Sequence, residues 1–378
     1  MEFEPAEIRQ RWEAVQAGLS DRGWGCAVLT SEHNFVYLTD LRFDALWPSG
    51  ARSLVCVVPS EGPLHLLIPN FLAEDAAGSH PDVVLHLYDP PFQAVEEPLI
   101  KILATMPAGP IAWEMGGETR MGLSFDSARA ALEATRGRGA EDASGLMWEI
   151  RMRKSSAEVA VLRTAARAGS DAFLAVFGAG VIGRSERDIA KALARHALES
   201  GADRTEWVAC TSGDGNYHRF VAGPTDRIVE PGDLFWADIG LTTRGYWTDF
   251  CRGAVAGPAD PERLEMQAAV VELTDAGIER CRAGTPVTEV AATIRARAEE
   301  VGVDLLGYGR LGHGIGLTST EPPSMAEWDP TILAPGMVVT IEPALVRPSG
   351  LYCAEQVVRV TEGEPEVLTR APSELTEA

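Results

Sequence analysis

Two aspartates lie on a pair of predicted strands that are rich in aromatic and apolar residues. The segment GDLFWADIGLTTRGYWTDFCRG, residues 232–253, predicts two strands joined by a turn at residues 242–245, with Asp238 on the first strand and Asp249 on the second. A buried carboxylate that has no partner is destabilising or takes up a proton. The two aspartates therefore indicate a bound cation.

Three further candidate ligands follow in apolar or glycine-rich settings. His313 lies in the segment GHGIG, Glu342 in VVTIEPAL and Glu355 in LYCAEQVVRV. With the two aspartates they form a mostly oxygen-donating set that could hold two divalent ions, and such paired ions activate water for attack on a carbonyl. The alternative is that these acids form ordinary ion pairs with arginines of the neighbouring segments: Arg252, Arg347 and Arg359.

The order of these five residues resembles the creatinase, aminopeptidase P and prolidase family, whose catalytic domain has the pita-bread fold. The shared features are an Asp, a second Asp eleven residues later, a His in a GHGxG segment, a Glu before Pro, and a last Glu on a final strand. The segment EIRMRKSSAEVAVLRTAARAGSDAF resembles the family's entry helix, and RWEAVQAGLSDRGWGCAVLTSEHNFVYLTDL resembles its N-terminal domain. The resemblance therefore covers nearly the whole chain.

The expected fold class is α/β (α+β) in two domains. A length of 378 residues suits two domains. Helical spacing over residues 5–22 is followed by the segments CAVLT, NFVYLT, SLVCVV and LHLLIP, which predict short strands. A capping box from Ser155 to Glu158 then predicts a new helix. We expect a small N-terminal creatinase-like α/β domain at residues 1–150 and a C-terminal pita-bread domain at residues 151–378.

The resemblance implies a role for each candidate ligand. Asp238 would chelate one ion, Asp249 and Glu355 would bridge both ions, and His313 and Glu342 would complete the second site. Glu342 would also take a proton from the attacking water and pass it to the leaving nitrogen. Two divalent ions are expected, and manganese, iron, cobalt and zinc all accept these ligands.

The expected substrate-binding residues are His218, Arg219, Thr320 and Glu321. His218 would take the role of the family's upstream catalytic His, although it lies about three residues farther from the GDL strand than is usual, and Arg219 could hold a substrate carboxylate. The alternative for this pair is a solvated loop. For Glu321 a structural role is favoured, as a cap of the loop that follows the ligand His313.

Departures from the family pattern bear on the substrate. Peptidases of the family usually have a second His seven residues after the ligand His, where this chain has Thr320, and an Arg two residues before the last Glu, where it has Cys353. These changes favour a small amide or cyclic amidine, as in ectoine-hydrolase-like or creatinase-like relatives. The alternatives are an Xaa-Pro dipeptidase or aminopeptidase, a lyase like the metal-dependent dimethylsulfoniopropionate lyases, and a non-catalytic binding module, which the intact ligand set disfavours.

Composition narrows the partners and the compartment. The net charge of −22, from 33 basic and 55 acidic residues, disfavours nucleic acid and anionic membrane surfaces. No apolar run approaches the roughly 20 residues of a membrane span, and the start MEFEPAEIRQRW lacks the apolar core of a signal peptide. We therefore expect a cytoplasmic enzyme, a homodimer by analogy with the family, that acts on a small molecule or short peptide.

Overall fold

The computed structural model describes residues 3–46, 50, 52–77, 82–306 and 309–378. The chain divides into two compact units, residues 1–151 and residues 152–378. Both units combine helices with β-sheet.

The N-terminal unit is built around one six-stranded mixed sheet. Its strand order is β4-β3-β2-β1-β5-β6. The pairs β1–β2 and β2–β3 are antiparallel, whereas β3–β4, β1–β5 and β5–β6 are parallel. The elements of this unit in chain order are α1 (Pro5–Asp21), β1 (Cys26–Leu29), α2 (Glu32–Thr39), β2 (Val55–Pro59), β3 (Leu64–Pro69), α3 (Ala73–Ala76), β4 (Val83–Tyr88), α4 (Glu96–Leu103), β5 (Ile111–Trp113), α5 (Phe125–Ala134), β6 (Ala140–Asp142) and α6 (Ser144–Met152).

One strand prediction in this unit is wrong. The segment NFVYLT belongs to helix α2, and every residue from Asn34 to Thr39 is buried. A short run that is buried on all sides shows neither helical nor strand periodicity, so its pattern does not separate the two structures. The adjoining turn is held by Glu114, whose carboxylate accepts hydrogen bonds from Thr30, Ser31 and Asn34.

The described residues of the C-terminal unit form three sheets. Their strand orders are β17-β9-β8-β7, β11-β10-β12-β15-β16 and β13-β14. The elements in chain order are α7 (Ser156–Gly178), α8 (Glu186–Glu199), β7 (Arg204–Ser212), β8 (Leu234–Thr243), β9 (Tyr246–Val255), α9 (Pro261–Arg280), α10 (Val287–Val301), β10 (His313–Gly314), β11 (Glu321–Ser324), β12 (Val338–Ile341), β13 (Ala344–Arg347), β14 (Gly350–Cys353), β15 (Gln356–Arg359), β16 (Glu366–Val367) and β17 (Thr376–Glu377).

Helix α7 begins at the predicted capping box. The Ser155 side chain accepts a hydrogen bond from the Glu158 backbone, and the Glu158 side chain accepts one from the Ser155 backbone. The buried face of α7 packs on β8 and β9 together with α8, around Phe173, Ile239 and Phe250. Among the helices of the described residues, none has the length and apolar character needed to cross a membrane.

The period-two alternation of β8 and β9 decides which side chains face away from the helices. Ile239 and Phe250 point toward α7, so their neighbours along the strands lie on the opposite face. In the antiparallel register Asp238 pairs with Cys251 and Gly240 pairs with Asp249. The two aspartates are therefore diagonal neighbours on the face opposite α7.

Candidate metal centre

The remaining three predicted ligands come from the five-stranded sheet. Strand β12 pairs with β15, and Glu342 and Glu355 lie at the end of this ladder, one residue beyond the pair Ile341 and Gln356. His313 lies on β10, a two-residue strand that pairs with β12, and not in a free loop. Glu342 and Glu355 thus lie just beyond paired ends of adjacent strands, beside the His313 imidazole.

Glycines on both sides of His313 allow this close packing. Gly312 has a φ of 147°, and a Cβ atom there would lie 2.0 Å from the carbonyl oxygen of Thr340. A Cβ atom at Gly314 would lie 2.1 Å from the carbonyl oxygen of Pro322. Only glycine fits at either position. The Thr340 hydroxyl also accepts a hydrogen bond from the His313 backbone, 3.1 Å away, and this contact fixes the segment.

The five predicted ligands converge. Single ligand atoms of Asp249, His313 and Glu355 all lie within 4.8 Å of one another. His313 Nε2 is 3.9 Å from Asp249 Oδ2 and 3.6 Å from Glu342 Oε1. Asp238 shares a hydrogen bond with Asp249. The structure therefore brings together all five residues that the sequence singled out.

Burial and mutual repulsion disfavour the ionised carboxylates. Burial raises the pKa of Asp238 to about 6. Burial, followed by the charge of Asp238, raises the pKa of Glu342 to about 8. The pKa values of Asp249 and Glu355 are raised well above the ordinary range, first by burial and then by the neighbouring carboxylates. Burial, with the charge of Arg310, lowers the pKa of His313 to about 4, so the imidazole is neutral and able to act as a ligand.

The arginines proposed as alternative partners do not pair with these acids. Arg252 is buried, and its guanidinium donates to neutral oxygens, including the backbone carbonyls of Cys251 and Glu355. Arg359 forms its ion pair with Glu366. Arg347 donates to the carbonyl of Val346. Within the described residues, no lysine or arginine forms a salt bridge with the four clustered carboxylates.

The cluster suits divalent cations. Asp238 Oδ1 and Glu355 Oε1 are buried and have no hydrogen-bond partner in the part of the chain that the structure describes. Such orphaned oxygens are destabilising unless a cation or a proton binds them. Four carboxylates and one neutral imidazole are also donors that divalent metals accept.

Three of the four carboxylates open onto a cavity of about 250 Å³. Asp238, Glu342 and Glu355 lie on its wall together with Arg310, and apolar side chains form much of the remainder. Cys251 and Cys353 also line it, and all six cysteines of the chain are free and buried. A small molecule can therefore lie directly against the cluster.

The predicted substrate-binding residues lie in different surroundings. His218 is exposed, and Phe220 is the residue of its loop that lines the cavity. Arg219 is half-buried and does not line the cavity. The Glu321 carboxylate is fully buried and accepts from Lys154 Nζ at 3.0 Å, and the Thr320 hydroxyl accepts from Arg310 at 3.2 Å.

Arg310 lies at the candidate site but was not predicted from the sequence. It lies three residues before His313 and is the cationic side chain on the cavity wall. Its charge adds to the lowering of the pKa of His313 by burial, and it partly offsets the rise in the pKa of Glu342. A basic residue so close to the glycine-flanked His was the available signal, but a lone arginine in a glycine-rich segment is more often a surface residue.

The raised pKa values predict how the stability of the metal-free protein depends on pH. Unfolded carboxyls titrate near pH 4, whereas Asp238 and Glu342 titrate near 6 and 8 in the fold. Between these pH values the folded chain holds protons that the unfolded chain has lost, so the free energy of unfolding falls as pH rises. We expect the melting temperature of chelator-treated protein to fall between about pH 5 and about pH 8, because over this range the folded chain binds more protons than the unfolded chain.

A saturating divalent metal should remove most of this slope, because the cation replaces the protons. Thermal melts at matched pH, with chelator and with manganese, measure the effect. Equal slopes under both conditions would show that the clustered carboxylates do not bind the metal.

The fold and the site together define a class. The chain is a two-unit α/β protein whose C-terminal unit has the pita-bread architecture and a buried centre of four carboxylates and one imidazole. Residues 160–363 match the family model of metallopeptidase family M24, and residues 11–153 match that of the creatinase/prolidase N-terminal domain. The chain belongs to metallopeptidase family M24, which confirms the resemblance and the predicted fold class.

Known relatives include proteins named as dipeptidases. A Xaa-Pro dipeptidase from Pyrococcus furiosus is 28% identical over 229 residues, which cover 60% of this chain and 66% of that protein. A probable dipeptidase PepE from Mycobacterium bovis is 26% identical over 381 residues, which cover 99% of this chain and 97% of that protein. The alignments span 65% to 66% of the length of the first three curated relatives.

A solved structure shows the same fold over the full length. The dipeptidase PepE from Mycobacterium ulcerans superposes with a TM-score of 0.85 at 24% sequence identity. The superposition covers 100% of this chain and 99% of that chain. Both units of the present chain therefore have counterparts in that structure.

Proposed function

We propose that this protein is a metal-dependent hydrolase of a C–N bond in a small amide or short peptide, with catalysis in the domain at residues 151–378. The observation that carries the proposal is the convergence of five predicted ligands, two of them with orphaned buried oxygens and three of them on the wall of a cavity sized for a small molecule. Membership of a metallopeptidase family and relatives named as dipeptidases support the same reaction class.

The proposed ligand roles follow the sequence prediction. Asp238 would hold one divalent ion, Asp249 and Glu355 would bridge two, and His313 with Glu342 would complete the second site. Manganese, iron, cobalt and zinc all suit these donors. The ions would supply Lewis-acid stabilisation of a polarised carbonyl and an acidified water.

The chain's own groups supply the proton transfer. Glu342 lies on the cavity wall, and its burial, followed by the charge of Asp238, holds its pKa above the ordinary range. A group with this affinity for protons can accept one from water and return it to the leaving nitrogen. His218, on its exposed loop, would act only if that loop approached a bound substrate, and Arg219 belongs to the same loop.

The assembly proposed for the protein is a homodimer in the cytoplasm, by analogy with the family. Its partner is a small-molecule or short-peptide substrate. Nucleic acid is not expected, because the net charge of −22 repels phosphate.

Xaa-Pro dipeptidase activity is the second candidate function, and the name of the Pyrococcus furiosus relative favours it. The uncharged Thr320 and Cys353 at positions where peptidases of the family usually have His and Arg favour a small amide instead. We therefore expect weak turnover of Xaa-Pro dipeptides and better turnover of a compact amide.

Steady-state kinetics of the metal-loaded protein on Leu-Pro and on a panel of small amides test this preference. A kcat/KM for Leu-Pro of about 10⁴ M⁻¹s⁻¹ or more, within the usual enzyme range, would establish the dipeptidase function. Product analysis distinguishes hydrolysis, which consumes water, from a lyase reaction, which does not.

A further inference from the structure

Two cavities meet at Asp238. The first, of about 250 Å³, contains Glu342, Glu355 and Arg310 on its wall. The second, of about 270 Å³, also has Asp238 in its lining. Asp238 and Phe220 line both cavities, so a substrate whose scissile bond lies at the carboxylate cluster can extend into each of them.

Arg310 gives the first cavity a fixed positive charge. Its guanidinium donates to the hydroxyl of Thr320 at 3.2 Å and to that of Ser324 at 3.5 Å. Both acceptors are neutral, and among the described residues no carboxylate lies within salt-bridge distance of it. Two of the five guanidinium donors thus hold the side chain, and the other three form no hydrogen bond with the residues that the structure describes, so an anion can accept from them.

The second cavity offers no equivalent charge. Apart from Asp238, its lining consists of Trp207, Val208, Ala209, Phe220, Val221 and Gly223. Asp238 is itself a proposed metal ligand, so its carboxylate cannot also neutralise an ammonium group without competing with the metal. An uncharged apolar group is therefore the chemistry that this cavity accepts.

We propose that the substrate is an N-acyl amino acid, whose apolar acyl chain lies in the second cavity and whose carboxylate is held by Arg310. The inference rests on the proposed function. Glu342 lines the cavity of Arg310 and not the second cavity, which places the leaving amine and its carboxylate on the Arg310 side. Hydrolysis breaks the amide C–N bond, forms a C–O bond from water, and delivers the proton to the leaving nitrogen.

One functional group of the substrate distinguishes the proposed activity from that of a dipeptidase. A dipeptide carries an ammonium on its first residue, and an N-acyl amino acid does not. Transferring that ammonium into an apolar cavity without a counter-charge is unfavourable. The matched comparison is Leu-Gly against 4-methylpentanoyl-glycine, which has the same carbon skeleton without the ammonium.

The experiment measures kcat/KM of the metal-loaded protein on three compounds, each made with glycine and with proline as the leaving residue. These are the dipeptide, its des-amino analogue and the des-amino analogue with its carboxylate blocked as the amide. We expect the des-amino acid to be preferred over each of the others by about 10- to 100-fold, the range of one charge-assisted hydrogen-bonded contact.

Substitution of Arg310 tests whether its guanidinium binds the substrate carboxylate. In Arg310→Gln the preference for the free acid over the blocked amide should fall to within about threefold, whereas Arg310→Lys should keep part of it as a point charge. The matched control is Arg167→Gln, at an exposed arginine of α7 that pairs with Asp171, and it should leave the preference unchanged.

Three results would overturn the proposal. The first is a dipeptide turned over as well as its des-amino analogue. The second is an Arg310→Gln protein that keeps the wild-type preference for the free carboxylate. If no compound is hydrolysed with any metal, the proposed function fails, and calorimetric titration with 4-methylpentanoyl-glycine tests this inference separately. Binding that Arg310→Gln weakens about tenfold supports the inference. The third overturning result is binding that is absent, or that Arg310→Gln does not weaken.

Discussion

Replacing Asp249 with asparagine is expected to lower kcat by about a thousandfold or more, because the Lewis-acid stabilisation that depends on the bridging carboxylate is worth several kcal/mol. The substitution keeps the size of the side chain and removes its charge. Asp249 is buried and lies within 4.8 Å of ligand atoms of His313 and Glu355, so its loss affects the centre of the cluster. Steady-state kinetics with saturating metal, together with the metal content after dialysis, measure the effect.

Asp171→Asn is the matched control for this substitution. Asp171 lies on α7 and is partly exposed beside Arg167, so its replacement should leave kcat and metal content unchanged. Far-UV circular dichroism of both variants should match the wild type, because each substitution keeps the size of the side chain. Wild-type turnover in Asp249→Asn would refute the bridging role.

Glu342→Gln is expected to lower kcat by about 10²- to 10⁴-fold, the usual contribution of a general acid–base group. Glutamine retains an oxygen that can still contact a metal, but it neither accepts nor returns a proton. The proton affinity of Glu342 comes from its burial and from the charge of Asp238. The pH profile of kcat/KM should also lose the ionisation assigned to this carboxyl, which a merely structural change would not alter.

Glu366→Gln provides the control for Glu342→Gln. Glu366 accepts from Arg163 and Arg359 away from the cavity, so the control tests the general effect of removing a carboxylate from the C-terminal unit. We expect kcat within about twofold of the wild type for this variant, since substitutions remote from the site have small effects. If Glu342→Gln kept the wild-type kcat and pH profile, the proton-transfer role would belong to another group.

The sequence predicted the site correctly where the chemistry of the residues and the periodicity of the strands indicate the same arrangement. The hairpin of β8 and β9 was predictable because aromatic and apolar residues flank both aspartates, and period-two alternation places the acids on one face. The glycines beside His313 were predictive for a steric reason, since carbonyl oxygens leave no space for a Cβ atom at either position.

The features that were not predictable depend on contacts between distant residues. The exposure of His218 is set by how its loop packs, which its local sequence does not encode. The guanidinium of Arg310 is held by hydroxyls that lie ten and fourteen residues later in the chain. The helix at NFVYLT was missed because burial on all sides removes the amphipathic signal.

We propose that the five clustered residues hold metal. Crystals of protein purified without chelator and supplied with manganese, measured at wavelengths on either side of the metal absorption edge, test it most directly. We expect two anomalous peaks, one beside Asp238 and one beside His313, with Asp249 and Glu355 between them. A map with no anomalous peak among these side chains, at full metal supply, would contradict it.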